Sequence, residues 1–361
     1  MSGRQRLRCM HAGKSGPSRH SLAGQRKPAS SLCFRRVFWE LCLAAAAFTL
    51  CFSAIAPAAH AGSISANTGT YAGEVGGLNF PVGTVAATNY TAYRNGGTFY
   101  DANGVADRTG NITLITNVAR IDWLAAKIYD MPLVLSASLP YGHADNAELG
   151  GQDQSTQSSF FSPNMFVTLG VIVDPKNERT LGISSYLFFP AGDYDSSKAA
   201  NVATPDQTVI VPQFAYEEGL GKLSPALKNF WIDIFGGAAF HSDGDNPVTI
   251  GGDGFDRTEQ ENSYDINVYL RYNWNPLTFV AIGVEKSWGG EQIARGGALG
   301  ALGGDVSLAK DEYAKGHLQF GIPLSETSQI AADITHDFHR EGGFKENFTV
   351  EIRMSTFITM K

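Results

Sequence analysis

The stretch from Tyr264 to Trp274 alternates with a period of two. Tyr264, Ile266, Val268, Leu270, Tyr272 and Trp274 fall on one face; Asp265, Asn267, Tyr269, Arg271 and Asn273 fall on the other. Successive side chains of a strand point to opposite sides, so this is a strand with one apolar and one polar face. The apolar face is aromatic at both ends and aliphatic between. That is the profile of a strand crossing a bilayer between two aromatic girdles. The alternation recurs with Ala314, Gly316, Leu318, Phe320 and Ile322 set against Tyr313, Lys315, His317 and Gln319. It recurs again with Phe348, Val350, Ile352 and Met354 against Thr349, Glu351, Arg353 and Ser355, and with Ile330, Ala332 and Ile334 against Asp333, Thr335 and Asp337.

Twelve such segments can be traced, at 83–95, 111–124, 131–141, 164–173, 180–189, 207–218, 229–240, 262–274, 277–288, 311–323, 328–339 and 346–358. Their connections alternate between long, Gly- and Asp-rich loops (Gly96–Gly110, Gly142–Ser162, Pro190–Asp206, His241–Glu261, Gly289–Lys310) and tighter turns, with two exceptions, the longer turn Gly219–Lys228 and the short loop Arg340–Lys345. Short turns on one side and long loops on the other are the topology of an outer-membrane barrel. The reading is an all-β fold: an antiparallel transmembrane β-barrel of about 12 strands, residues 83–361, in a bacterial outer membrane. A soluble sandwich also gives period-two strands, but it buries its apolar face inward and has no reason for the long-short alternation.

Ahead of the barrel, residues 1–61 read as a cleaved signal peptide. They hold nine of the 28 basic residues and one of the 35 acidic ones, then the apolar run Leu41–Phe52 and the small-residue site Ala59-His60-Ala61. The rest of the chain, with 19 basic and 34 acidic residues, carries a net charge of −15 and suits no nucleic-acid partner. All four cysteines lie in the leader, so disulfides and thiolate chemistry are excluded from the mature part. After Phe52 no apolar run reaches the ~20 residues of a spanning helix. The Gly-rich stretch 62–82 is weakly patterned and is either a lumenal plug or a periplasmic tail. Delivery would involve the barrel-assembly machinery, although the chain ends in Met360-Lys361 where such barrels usually carry an aromatic residue.

The inward faces are where selectivity would reside. The candidates are Asp233, Asp265, Asn267, Tyr269, Arg271, Lys315, His317, Gln319, Asp333, Asp337, Glu351 and Arg353. Buried charges in a narrow lumen must be paired or hydrated. They form either a bracing ladder or a solute-contacting lining. His336 and His339 are three apart, which on a strand places them on opposite faces and argues against a metal pair. No metal site and no cofactor is expected.

Leu187-Phe188-Phe189-Pro190-Ala191-Gly192-Asp193-Tyr194-Asp195 resembles the signature of an outer-membrane family associated with the meta-pathway of phenol degradation. Gly76–Pro81 and Leu133–Pro140 are weaker echoes. By itself the motif Pro190, Gly192, Asp193, Tyr194, Asp195 makes a turn, since Pro cannot donate to a ladder and Gly-Asp favours turns. The resemblance implies a channel for passive uptake of small aromatic or apolar solutes, embedded in outer-membrane lipid. A phospholipase-like enzyme and a structural or adhesive barrel are the other classes. No Gly-x-Ser-x-Gly elbow is present, and the expectation is that the chain is not an enzyme.

Overall fold

A computed structural model describes residues 71–100, 103–191, 207–244, 257–296, 306–309 and 312–359. The barrel strands are β1 (Thr84–Tyr100), β2 (Gly110–Ile128), β3 (Met131–Leu149), β4 (Asn164–Asp174), β5 (Arg179–Phe188) and β6 (Val209–Gly219). They continue as β7 (Phe230–His241), β8 (Ser263–Asn275), β9 (Thr278–Gly289), β10 (Glu312–Ser325), β11 (Ser328–Glu341) and β12 (Gly343–Thr359). Each pairs antiparallel with the next. β12 returns to β1, from Thr359 opposite Thr84 to Gly343 opposite Tyr100. The sheet therefore closes and leaves no edge in the barrel wall. All twelve expected segments coincide with these strands.

The turns joining even strands to odd ones are tight, as the spacing predicts, except the one after β6, which holds the short 3₁₀ turns Leu220–Lys222 and Pro225–Leu227. Tyr129 and Asp130 take φ of 50° and 68°, both left-handed, in a two-residue hairpin between β2 and β3. Asp174 caps the short 3₁₀ turn Pro175–Asn177 by accepting from the Asn177 N–H at 3.2 Å. Both chain ends of the barrel, Thr84 and Thr359, lie at this turn end.

The loop end departs from expectation. Strands β1, β3 and β12 are 17 to 19 residues long and run on through stretches that read as loops. Ala106–Arg108, Gln152–Asp153 and Ser158–Phe160 add short strands there. A separate sheet joins Arg257–Gln260, Gln292–Arg295 and Val306–Ala309. Outside the bilayer a hairpin needs only its backbone ladder, so Gly- and Asn-rich sequence can stay paired without alternating polarity.

The barrel is polar inside and apolar outside. Ile121, Leu139, Ile282, Val284, Phe320 and Ile352 are exposed, whereas Asp233, Asn267, Gln319 and Asp337 are 0% exposed. This inverts a soluble core and removes the sandwich reading. Aromatic pairs flank the apolar belt. Tyr93 stacks on Phe348 and Tyr264 on Trp288 towards the loop end; Phe230, Tyr272 and Trp274 cluster at the turn end. No helix among the described residues is long and apolar enough to cross a membrane.

Candidate functional site in the barrel lumen

The segment ahead of β1 enters the lumen. Gly73 has φ 83°, and a 3₁₀ turn comes next at Glu74–Asn79. Its backbone donors are met by barrel side chains: Ala72 N–H donates to Gln319 Oε1 and Val75 N–H to Glu217 Oε1, both at 2.9 Å. The Tyr71 hydroxyl donates to the Glu351 carbonyl at 3.2 Å. Glu74 Oε1 accepts from Arg120 Nη1 at 2.9 Å and from the Tyr90 hydroxyl at 2.8 Å. Burial alone pushes the Glu74 carboxyl up. The cations of Arg120 and Arg353 and the Tyr90 hydroxyl outweigh it and hold the group below its ordinary value. Val75 and Leu78 supply the apolar contact, lying over Gly182, where an added Cβ would come 3.3 Å from Leu78 Cδ1.

Most of the expected lumen residues are gathered into networks. Arg271 donates twice to Asp233, Nε to Oδ2 and Nη2 to Oδ1, each at 2.8 Å, and reaches Glu217 at 3.3 Å. Its guanidinium also lies 5.1 Å from the Trp231 ring centre. A second network centres on His317, whose Nδ1 is 2.9 Å from Asp333 and whose Nε2 is 3.0 Å from Glu285. Gln319 donates to the same Asp333 oxygen at 3.0 Å, Tyr313 donates to Glu285 at 2.5 Å, and the Tyr269 ring meets His317 edge-on. Glu351 is paired in register with Asp333. Towards the loop end, Lys315 bridges Glu346 at 3.2 Å and Asp337 at 4.0 Å. Arg353 instead donates to the neutral Gln329 at 2.7 Å and covers the Tyr71 ring at 4.4 Å. Asn267 donates to Asp265 at 2.9 Å and the two stand as a pair.

Several lumen groups are absent from the sequence-derived set: Glu74, Tyr90, Arg120, Asp122, Glu217, Glu285 and Glu346. Arg120 and Asp122 alternate with the outward Ile121 and Trp123, so the signal was there to read. Glu217 and Glu285 sit beside Glu218 and Lys286, and a polar neighbour on the outer side hides the alternation.

Between the inserted segment and the turn end lies a cavity of about 650 Å³. Its walls include Leu78, Phe166, Tyr186, Trp231, Phe279 and Phe357, with Arg120 and Arg271 at its polar side. Of the loop motif, Pro190 is described, just beyond the end of β5. Gly192, Asp193, Tyr194 and Asp195 lie outside the described residues, as do residues 1–70. At the outer rim Glu312, His339 and Glu341 come together. Glu312 is bound by Lys286 at 2.7 Å and His339 contacts Glu341 at 3.3 Å. A register shift between Ala314 and Lys315 breaks the alternation expected to separate His336 from His339, and both are exposed.

No protein-family model matches the sequence, and no curated protein matches it either. Solved structures do. An outer membrane channel from Pseudomonas putida F1 superposes with a TM-score of 0.67 at 22% identity, covering 81% of this chain and 99% of that one. A mutant of the TodX monoaromatic hydrocarbon channel gives 0.46 at 11% identity (84% and 97%). The translocator domain of the autotransporter NalP from Neisseria meningitidis gives 0.41 at 8% (78% and 91%). The first likeness shows a shared fold, while the other two are too distant to add to it. A closed antiparallel barrel with an apolar belt, aromatic girdles and a polar, charge-paired interior is a transmembrane barrel, and its place is the bacterial outer membrane.

Proposed function

We propose that the protein is an outer-membrane channel through which small aromatic or apolar solutes pass inward without energy input, the segment 71–80 acting as a plug that must shift for the path to open. The observation that carries this reading is the cavity of about 650 Å³ inside a membrane barrel, walled by aromatic side chains and edged by charged ones, four arginines (Arg120, Arg179, Arg271 and Arg353) among them. Pockets of that size, apolar with a few placed polar groups, suit small-molecule ligands. The lumen charges are mostly neutralised in pairs, which supports a bracing role for them and leaves the aromatic walls to meet the solute. The acidic excess of the mature chain disfavours anions at the mouth. Neutral phenols therefore fit better than aromatic carboxylates. The likeness to the Pseudomonas putida F1 channel is consistent with this and rests on fold alone.

The test is solute flux into proteoliposomes. Phenol should enter faster through the wild-type protein than through empty vesicles, and benzoate should not. Trp231→Ala with Phe279→Ala should lower phenol entry several-fold if the cavity is on the path. Equal entry of phenol and benzoate, or no effect of the cavity variants, would overturn the substrate assignment. Absence of any flux, with a folded barrel, would favour a structural role.

A further inference from the structure

On β1 and β2 the apolar belt carries a cluster of polar side chains. Asn89 and Thr91 on β1 and Asn117 on β2 occupy outward positions, since their strand neighbours Tyr90, Ala92, Val118 and Arg120 face the lumen side. They lie between the girdles. Trp123, paired with Val85, marks the turn end of the belt, and Tyr93 marks the loop end. From Val85 to Tyr93 the strand rises roughly 26 Å, at about 3.3 Å per residue, and the polar group sits in the middle of that span. On the far wall Leu270, Ile282, Val284, Leu318 and Phe320 face lipid, and the outward Lys286 beside Ile266 is already paired with Glu312 at 2.7 Å.

The three side chains bond to one another. Asn89 donates to Asn117 Oδ1 at 3.0 Å, and Asn117 donates to Asn89 Oδ1 at 3.1 Å and to Thr91 Oγ1 at 2.8 Å. Thr91 in turn donates to Asn89 Oδ1 at 3.1 Å. An amide has two N–H groups and an oxygen with two lone pairs. These bonds leave one N–H on Asn89 and one lone pair each on Asn117 and Thr91. Hydrocarbon offers none of them a partner.

Beside the group is a groove of about 490 Å³ on the outer wall, lined by Ala87, Asn89, Ala119, Ala137, Leu139 and Met354 among others. In register, Ala119 lies between Asn89 and Leu139, and Ile121 between Ala87 and Ala137. The floor is small and the flanks are bulky.

We infer that two copies of this chain associate through the outer wall of β1 to β3, about a two-fold axis along the membrane normal. Such an axis gives each interface residue a reciprocal contact. The spare N–H of Asn89 in each copy then meets the spare lone pair of Asn117 in the other, and both pairs form at once. Small residues at 87, 119 and 137 allow the close approach that membrane interfaces need where no hydrophobic force favours association, and polar side chains hold it. The ridge of Ile121 and Leu139 from one copy fills the groove of the other.

Disulfide trapping in native outer membranes tests this. The natural cysteines are at 9, 33, 42 and 51 only, and each is replaced by Ser in every variant. Ala119→Cys should give a covalent dimer on mild oxidation; Ile282→Cys, on the far wall, should not. Adding Asn89→Leu and Asn117→Leu to Ala119→Cys should cut the dimer at least tenfold while the heat-modifiable band of the folded barrel persists. If the Leu pair does not fold, the mass of the Asn89→Ala protein extracted in mild detergent serves instead, and should be that of a monomer against a wild-type dimer. Equal trapping at 119 and 282, a dimer indifferent to loss of the amides, or an Ala119→Cys adduct with a different protein would each overturn the inference.

Discussion

Gly73→Ala is the sharpest probe of the inserted segment. Gly73 has φ 83°, and a Cβ there would lie 2.8 Å from Arg271 Nη1. The left-handed conformation costs an L-residue roughly 1–2 kcal/mol. Arg271 cannot swing away freely, because two bonds of 2.8 Å tie it to Asp233. Loosening one of these charged bonds adds about 1 kcal/mol. The sum, roughly 2–3 kcal/mol, acts only on the inserted state. At about 1.4 kcal/mol per factor of ten, the released fraction should rise ~30- to ~150-fold. Gly77→Ala is the internal control: it lies in the same turn, and a Cβ there meets nothing within 4 Å. Deuterium exchange of the amides of residues 72–78 reads the released fraction directly. Faster exchange in Gly73→Ala but not in Gly77→Ala is the expected result. Equal behaviour of the two variants would refute the claim that the Arg271 contact and the backbone conformation hold the segment in place.

Acid should release the same segment. The folded-state pKa of Glu74 is depressed, so its stabilisation is present above the ordinary value of 4.5 and is lost as pH falls through the lower folded value. Protection of 72–78, taken relative to the intrinsic exchange rate at each pH, should be high at neutral pH and fall in acid, and Glu74→Gln should flatten that dependence. Arg271→Ala leaves Asp233 and Glu217 buried without their cation, a loss of about 3–5 kcal/mol, which should appear as a lower denaturant midpoint for the folded barrel. Arg271→Ala with Asp233→Leu should recover part of it; no recovery would mean that Arg271 acts chiefly through its contact with Trp231.

The barrel was legible because a bilayer imposes one demand on every strand. Apolar and polar residues must alternate across a fixed height, and Tyr264–Trp274 or Phe348–Met354 can hardly be read otherwise. The inward faces came from the same alternation. The parts beyond the bilayer were less legible. The loop-end extensions of β1, β3 and β12 obey backbone pairing rather than polarity, so Gly- and Asn-rich stretches read as loops. The seating of Tyr71–Asn79 was beyond reach, because it depends on donors and acceptors contributed by β1, β2, β6, β10 and β12, far apart in sequence. Local periodicity carries no trace of that meeting. The Asn89–Asn117 pair was also missed, being visible only once neighbouring strands are set in register.

Current through a planar lipid bilayer is the most direct test of the central claim, that this is a membrane barrel whose lumen serves as a solute path gated by residues 71–80. The refolded protein should give small or infrequent conductance steps. Gly73→Ala should give more frequent ones, and phenol should block them from within the lumen. A heat-modifiable, inserted barrel that stays silent in both forms would contradict the channel reading, and steps unaltered by Gly73→Ala would contradict the role of the segment.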